Sequence, residues 1–293
     1  MVINTLNEEK NLPRALSSLE KLADEVIVVD MYSGDATIEI AKKFGAKVYL
    51  HKPTGYVEPA RNFAIGKAEG DYVFVLDADE ELPFSLVSKL KKLTEVGNAD
   101  YYKIPRKNII FGKWIRHAKW WPDYNIRFFK RGKVVWSDVI HSVPMTKGIG
   151  ENLAPLEENA ILHYNYNSIE QFVERLNRYT SLQAKSLVSG GYSFRWQDLL
   201  EKPAREFLDR YFASLGYKDG LHGLTLCLLQ AFSELVVYAK VWQTAKFPKK
   251  SLVLKEVVNE IKSLELEVNY WQADALVREG GGLLQRIKRK LKI

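Results

Sequence analysis

Asp77 and Asp79 stand two residues apart, directly after the apolar run Tyr72-Val73-Phe74-Val75-Leu76. Five aromatic, β-branched and aliphatic residues in a row predict a strand buried on both faces, which puts the acids at its carboxyl end. Open α/β sheets bind their ligands at that edge. A carboxylate pair there suits Mg²⁺ or Mn²⁺ held jointly with substrate phosphates; the alternative is a solvated acidic turn. Asp30 ends a second apolar run, Val26-Ile27-Val28-Val29, and should share the edge. A carboxylate in that place can accept a hydrogen bond from a nucleobase imide or a ribose hydroxyl, or simply cap a turn. Arg61 opens the helix that feeds the Asp77 strand, where a guanidinium can clamp a diphosphate through two donors or sit solvated on the surface.

The elements that must position these groups follow from periodicity. Strands over 2–6, 26–29, 47–50 and 72–76 alternate with helices over 12–22, 37–44 and 58–68, which predicts βαβ units and a mostly parallel sheet. After Glu81 come a helix over 85–94 and strand-like pieces at 99–104, 125–130, 134–136, 139–143 and 159–163. From Ile169 the pattern is helical, over 169–189, 197–215, 220–245 and 251–278. The expected fold class is therefore α/β, a Rossmann-like sheet flanked by helices over 1–165, with a helical extension over 166–293. Gly280-Gly281-Gly282 reads as a flexible joint before a basic amphipathic tail.

Of the 293 residues, 46% are apolar and 27% charged, which is ordinary for a folded domain and argues against wholesale disorder. One cysteine, Cys227, excludes an intramolecular disulfide framework and fits a reducing compartment. The chain opens on an apolar strand with no basic-then-apolar leader, so no secretory signal is expected. The net charge of +7 is unevenly spread: Lys103 to Lys133 holds ten basic residues against Asp123 alone. The tail adds Arg286, Lys288, Arg289, Lys290 and Lys292 without an acid. Such surfaces attract phosphate-bearing partners. In the tail, Leu283, Leu284, Ile287 and Leu291 recur among the cations, a pattern suited to an anionic membrane surface. Trp114, Trp120 and Trp121 interleave with Lys113, Arg116 and Lys119, which can bind sugar rings, meet single-stranded nucleic acid, or form a packed loop. The broad apolar helix over 221–242 should pack on the sheet domain or lie in a membrane interface.

Four ordered segments, Ile3-Asn4-Thr5-Leu6-Asn7-Glu8-Glu9, Val28-Val29-Asp30 with Ser33-Gly34-Asp35, Ala60-Arg61-Asn62, and Leu76-Asp77-Ala78-Asp79-Glu80, resemble glycosyltransferase family two with its GT-A fold. Arg127-Phe128-Phe129-Lys130, Val139-Ile140-His141, His163-Tyr164 and Asn177-Arg178-Tyr179 resemble the branch containing lipopolysaccharide core glucosyltransferases. The resemblance implies an inverting transfer from a nucleotide-sugar donor to a glycolipid or oligosaccharide acceptor, on the inner face of the cytoplasmic membrane. It assigns Asp30, Arg61 and Asp77 to substrate binding, with Asn7 and Glu8 of the first motif beside them, and given these motifs the segment of Trp120 reads best as a substrate-binding flap on the acceptor side. Asp77 and Asp79 would hold the Mg²⁺ or Mn²⁺ ion, Asp79 more directly. Relatives in that branch place a carboxylate directly after the motif's His, where this chain has Ser142, a poor proton acceptor. His141 and Asp138 are then the base candidates, with Glu80 and Asp123 behind them. The first strand is also shorter than the family's, a late start or a short edge. Rival expectations are a nucleotidyltransferase, disfavoured because Asn7-Glu8-Glu9 stands where a Gly-rich phosphate loop belongs, and a nucleic-acid- or anionic-lipid-binding protein on a degenerate GT-A scaffold.

Overall fold

A computed structural model of the chain describes residues 1–19, 22–53, 57–136 and 144–291. In order, it forms β1 (Val2–Thr5), α1 (Leu12–Leu19), β2 (Ile27–Asp30), α2 (Thr37–Lys43), β3 (Lys47–Leu50), α3 (Glu58–Lys67), β4 (Tyr72–Asp77), β5 (Glu80–Glu81) and α4 (Phe84–Val96). Then come β6 (Tyr101–Ile110), β7 (Lys113–Trp114), β8 (Asp123–Lys130), β9 (Val134–Val135), β10 (Met145–Thr146), β11 (Gly150–Asn152) and β12 (Ile161–Tyr166). The helices α5 (Ile169–Ser189), α6 (Asp198–Leu208), α7 (Gly220–Thr244), α8 (Leu254–Arg278) and α9 (Leu283–Leu291) follow. Two compact units result, one of Met1–Ile109 with Trp121–Asn165, the other of Ile110–Trp120 with Tyr166–Ile293.

In the first unit the strand order is β3-β2-β1-β4-β8-β6-β12-β5. β1 to β4 run parallel, while β4 with β8, β8 with β6, and β12 with β5 are antiparallel. Parallel neighbours require crossovers, and α1, α2 and α3 supply them. Side chains divide by strand parity. Ile3, Val28, Phe74 and Leu76 join Leu12, Leu16, Leu86 and Leu90 on one face; Val2, Ile27, Val29, Val73 and Val75 join Ala60 and Ala64 of α3 on the other. With both faces covered, the apolar run of β4 has no solvated side, as its composition predicts. Each fully buried Val, Leu or Phe contributes roughly 1.5–3 kcal/mol. The order turns back between β1 and β4, which makes their carboxyl ends a switch point where a crevice opens. β1 is an interior strand of the sheet, not an edge.

The second unit takes in 110–120, which the sequence pattern places with the sheet. Ile110 and Ile115 pack with Phe172, Leu176 and Leu226, so apolar burial decides the allegiance. Asp219, 4% exposed, accepts the backbone N–H groups of Arg116 (3.1 Å) and His117 (2.8 Å), while Lys113 Nζ donates to the Asp219 carbonyl at 2.6 Å. Lys240 ties α7 to α5, donating to the Asn177 carbonyl and to Thr180 and Ser181 hydroxyls at 2.6–2.8 Å. α7 and its lead-in turn are long and apolar enough, by length and composition, to cross a membrane. In this unit α7 packs against α5 and α6 and buries Leu226, Cys227, Val237 and Val241. Burial pushes the Cys227 thiol up to about 12.

Two helix ends depart from expectation. The helix expected to run to 215 stops at Leu208, and a wider turn follows in which Ser214 N–H donates to the Asp209 carbonyl at 2.7 Å. The glycine triplet is a cap rather than a joint. Gly280 has φ of 91° and donates to Val277, while Gly281 donates to the Leu276 carbonyl at 2.7 Å; this paired closure needs a left-handed residue, which glycine supplies without strain. Gly223 serves a different end. A Cβ there would lie 1.9 Å from the Gly216 carbonyl oxygen. Gly223→Ala, ordinarily favourable inside a helix, is expected to lower stability by about 1–3 kcal/mol through this overlap. A thermal melt at or above the wild-type midpoint would contradict the close approach.

Candidate active site

β1, β2 and β4 end close together: Thr5 aligns with Asp30, and Asn4, one residue before the end of β1, with Asp77. Parity sends Asp30 and Thr5 to the α1 side and Asn4 and Asp77 to the α3 side. Asp30 is fully buried and accepts from Thr5 Oγ1 (2.8 Å), the Ser33 N–H (2.8 Å) and Ser33 Oγ (2.6 Å). Its three donors fix the carboxylate's orientation. The loop of Asn7 and Glu8 is laced to the loop after β2. Asn7 N–H donates to Ser33 Oγ, Gly34 N–H to Asn7 Oδ1, and Glu8 N–H to Thr37 Oγ1, each at 2.8 Å. Asn7 reaches this pose with φ of 57°, a left-handed conformation asparagine tolerates better than most residues.

On the other side α3 presents Arg61 and Asn62. Arg61 Nη2 donates to Asp77 Oδ1 at 2.6 Å, and Arg127 of β8 takes Asp77 Oδ2. Arg127, 3% exposed, also donates to Glu80 Oε1 at 2.6 Å. Glu80 is fully buried, and its Oε2 accepts the Asp77 N–H at 2.9 Å. Arg106 continues the chain of charges, reaching Glu80 at 3.3 Å and Asp123 at 2.7 Å. Burial pushes the Asp77 carboxyl up, but the Arg127 and Arg61 guanidiniums override it and hold the group well below the carboxylate range. Burial likewise acts upward on Asp123, and Arg106 and Asn108 reverse the sign. Neither Glu80 nor Asp123 suits a base. Glu80 is enclosed between two arginines, and Asp123 is held as a weakly basic carboxylate.

Asp79 meets a different partner. β5 folds back so that His163 of β12 lies opposite Glu80, and the Tyr164 N–H donates to the Asp79 carbonyl at 2.9 Å. His163 Nε2 then stands 3.6 Å from Asp79 Oδ2, and His163 Nδ1 is 2.7 Å from Asn108 Oδ1. Asn108 Nδ2 donates to Asp123 at 3.2 Å, so the Asn108 oxygen is the acceptor and Nδ1 carries the proton. In the neutral ring the Nε2 lone pair therefore points at the Asp79 side. An imidazole and a carboxylate converging in this way fit a divalent cation such as Mn²⁺. No cluster of three or more such side chains forms among the described residues, so a cation held there would take its remaining ligands from phosphate oxygens and water.

Sequence alone assigns no role to His163, Asn108, Arg127, Arg106 or Asn4. Asn4 is 8% exposed, and neither end of its amide finds a partner among the described residues. Arg61 Nε is likewise buried without one. Such groups are rare away from ligand sites. Asn62 brackets the Trp136 peptide, donating to its carbonyl at 2.7 Å and accepting its N–H at 2.9 Å. Asp138 and His141 lie outside the described residues. Trp120 belongs to the second unit, edge-on to Tyr166 at 6.5 Å and packed with Phe172 and Leu226. Much of the basic stretch is engaged within the protein. Lys107 pairs with Glu157, Lys130 and Lys133 with Asp100, and Lys119 with Asp209.

The family model for glycosyl transferase family 2 matches residues 1–149, the part that carries Asp30, Arg61, Asp77 and Asp79. The chain belongs to glycosyl transferase family 2. An uncharacterized glycosyltransferase of Rickettsia typhi is 31% identical over 274 residues, covering 89% of this chain and 94% of the relative. The lipopolysaccharide core biosynthesis glycosyltransferase LpsC of Rhizobium meliloti is 25% identical over 245 residues, covering 81% and 89%. A crystal structure of S. aureus TarS with UDP aligns at 17% identity and TM-score 0.45, over 86% of this chain and 93% of that one. In this family 2 chain the shared motifs fall on the carboxyl edge of the parallel strands, and the helices from Ile169 onward lie outside the matched residues.

Proposed function

We propose that the chain is a divalent-cation-dependent, inverting hexosyltransferase. It takes a nucleotide-sugar donor and a cell-envelope glycolipid or polysaccharide acceptor at the cytoplasmic face of a membrane. One observation carries this reading: the acids after β4 are separated in role, Asp77 clamped by Arg61 and Arg127, Asp79 aligned with a tautomer-fixed His163. Asp30 orients the nucleoside, and the Asn4 amide completes its hydrogen bonds on the donor. Arg61 turns its remaining N–H groups, Nε among them, toward the diphosphate. Asp79 and His163 hold the cation, and Asp77 keeps Arg61 in place rather than ligating directly. A cation held there supplies positive charge against the departing diphosphate.

A base from the 137–143 segment, His141 or Asp138, takes the acceptor hydroxyl proton. The freed oxygen forms its bond to the anomeric carbon as the bond to the diphosphate breaks, and the leaving oxygen keeps the electron pair. The kinship with LpsC, named for lipopolysaccharide core biosynthesis, supports the acceptor class. α9 supports the membrane setting, because it exposes Leu283, Leu284, Ile287 and Leu291 beside its cations. A thermal-shift screen of nucleoside diphosphates and sugar nucleotides, with and without Mn²⁺, tests the donor. A ligand present at 100 times its Kd should add about 2.7 kcal/mol. The reading fails if no sugar nucleotide moves the midpoint with or without Mn²⁺.

A further inference from the structure

The end of α7 is built in a way that transferase chemistry does not require. The helix closes through Lys246 N–H to the Gln243 carbonyl at 2.8 Å and Phe247 N–H to the Trp242 carbonyl at 3.0 Å. This is the paired closure that glycine normally provides. Here Lys246 and Phe247 both adopt left-handed backbones, φ of 62° and 52°. The strain is held by side chains. Phe247 packs edge-on to Trp242 at 4.9 Å, Trp242 stacks on Phe194 at 6.1 Å, and Trp242 Nε1 donates to the Pro248 carbonyl at 3.2 Å.

This braced knuckle presents apolar surface. Phe247 is 53% exposed and Leu254 76% exposed, with Leu252 and Val253 between them also outside. Lys246, Lys249, Lys250 and Lys255 are exposed around them, and no acid occurs from Ala245 to Lys255. An exposed aromatic and aliphatic tip ringed by lysines is complementary to a surface that is apolar below and anionic above. From this apposition we infer that the α7–α8 turn is a membrane-docking site. It inserts Phe247, Leu252 and Leu254 into the headgroup region of an anionic bilayer while the lysines meet lipid phosphates.

The site is separate from α9. Arg289 of α9 reaches Asp274 near the far end of α8, about 30 Å along the helix from Leu254 at the rise of an α-helix. The inference does not depend on the transferase reading, since it holds for whatever reaction the sheet performs.

The test is cosedimentation of the full chain with phosphatidylcholine vesicles and with vesicles containing phosphatidylglycerol, at low and high salt. Phe247→Ser with Leu254→Ser should weaken partition onto anionic vesicles at least about tenfold. Lys249→Gln with Lys250→Gln should weaken it on the order of tenfold and flatten the salt dependence. Ile287→Ser with Leu291→Ser in α9 serves as the separate comparison. All variants should keep the wild-type circular dichroism and nucleotide-induced thermal shift, so a failure of docking is distinct from a failure of donor binding. Vesicle binding unchanged by the α7–α8 substitutions overturns the inference, as does a full chain that ignores anionic vesicles. So does light scattering that shows a dimer dissociated by Phe247→Ser, with vesicle binding unaltered, because the turn would then cover a second copy.

Discussion

Arg127→Met is expected to lower the unfolding free energy by about 3–5 kcal/mol, the usual cost of removing one partner from a buried ion pair. Arg127 is 3% exposed and bridges Asp77 to the fully buried Glu80. Methionine fills the volume but leaves two carboxylates facing each other in a poorly solvated place. Acid makes a second readout. The unfolded Asp77 carboxyl titrates near 3.8, and its folded value lies far lower. The stabilisation is therefore complete above about pH 4 and drains away as the pH falls toward the folded value. Without Arg127 the folded value rises, so the variant should lose less further stability than wild type when acidified below pH 4. Urea titrations at neutral pH and near pH 3 measure both effects. A neutral-pH loss below about 1 kcal/mol would show that the network is not acting as buried charge. Arg127→Lys should fall between, because lysine keeps the charge and loses the fork that reaches two acids.

Asp79→Asn should reduce nucleotide-sugar turnover by about a hundredfold to a thousandfold, the range for losing one preorganised charge-stabilising contact, while the fold survives. The strand is held there by the Asp79 main-chain carbonyl, which accepts from the Tyr164 N–H and survives the substitution. The Mn²⁺-dependent part of the donor-induced thermal shift should vanish in the same variant. His163→Ala should reproduce that loss of Mn²⁺ dependence, and Asn108→Leu should weaken it by freeing the imidazole tautomer, typically 10–100-fold in metal affinity. Full turnover by Asp79→Asn would sink the assignment outright.

The two faces of the first sheet could be foreseen from residue order. Val73-Phe74-Val75-Leu76 admits no solvated side, and Asp30 and Asp77 end runs of the same kind, so the shared edge followed from the parallel pattern. The partners at that edge could not. Arg127 reaches Asp77 from fifty residues downstream through the antiparallel register of β8 with β4, and local sequence carries no trace of a register. His163 sits in a strand of alternating burial, where a histidine is as easily a core residue as a ligand. Its meaning comes from Asn108, on the neighbouring strand β6 but far away along the chain. Segment 110–120 is placed by another signal. Its tryptophans and cations look like a binding flap, while Ile110 and Ile115 decide where it packs. Gly280 shows the same limit on a small scale, since a loose joint and a tight helix cap share one composition.

Arg61 and Asn62 are consecutive residues of α3, one gripping the Asp77 carboxylate and the other the Trp136 peptide. A single peptide unit thus acts as a rigid crosspiece between the end of β4 and the strand leading into 137–143, parts of the chain some sixty positions apart. Neither can shift without dragging the other. Whatever displaces the helix at this turn acts on the end of β4 and on Trp136 in one movement, because the two gripping side chains hang from adjacent backbone positions.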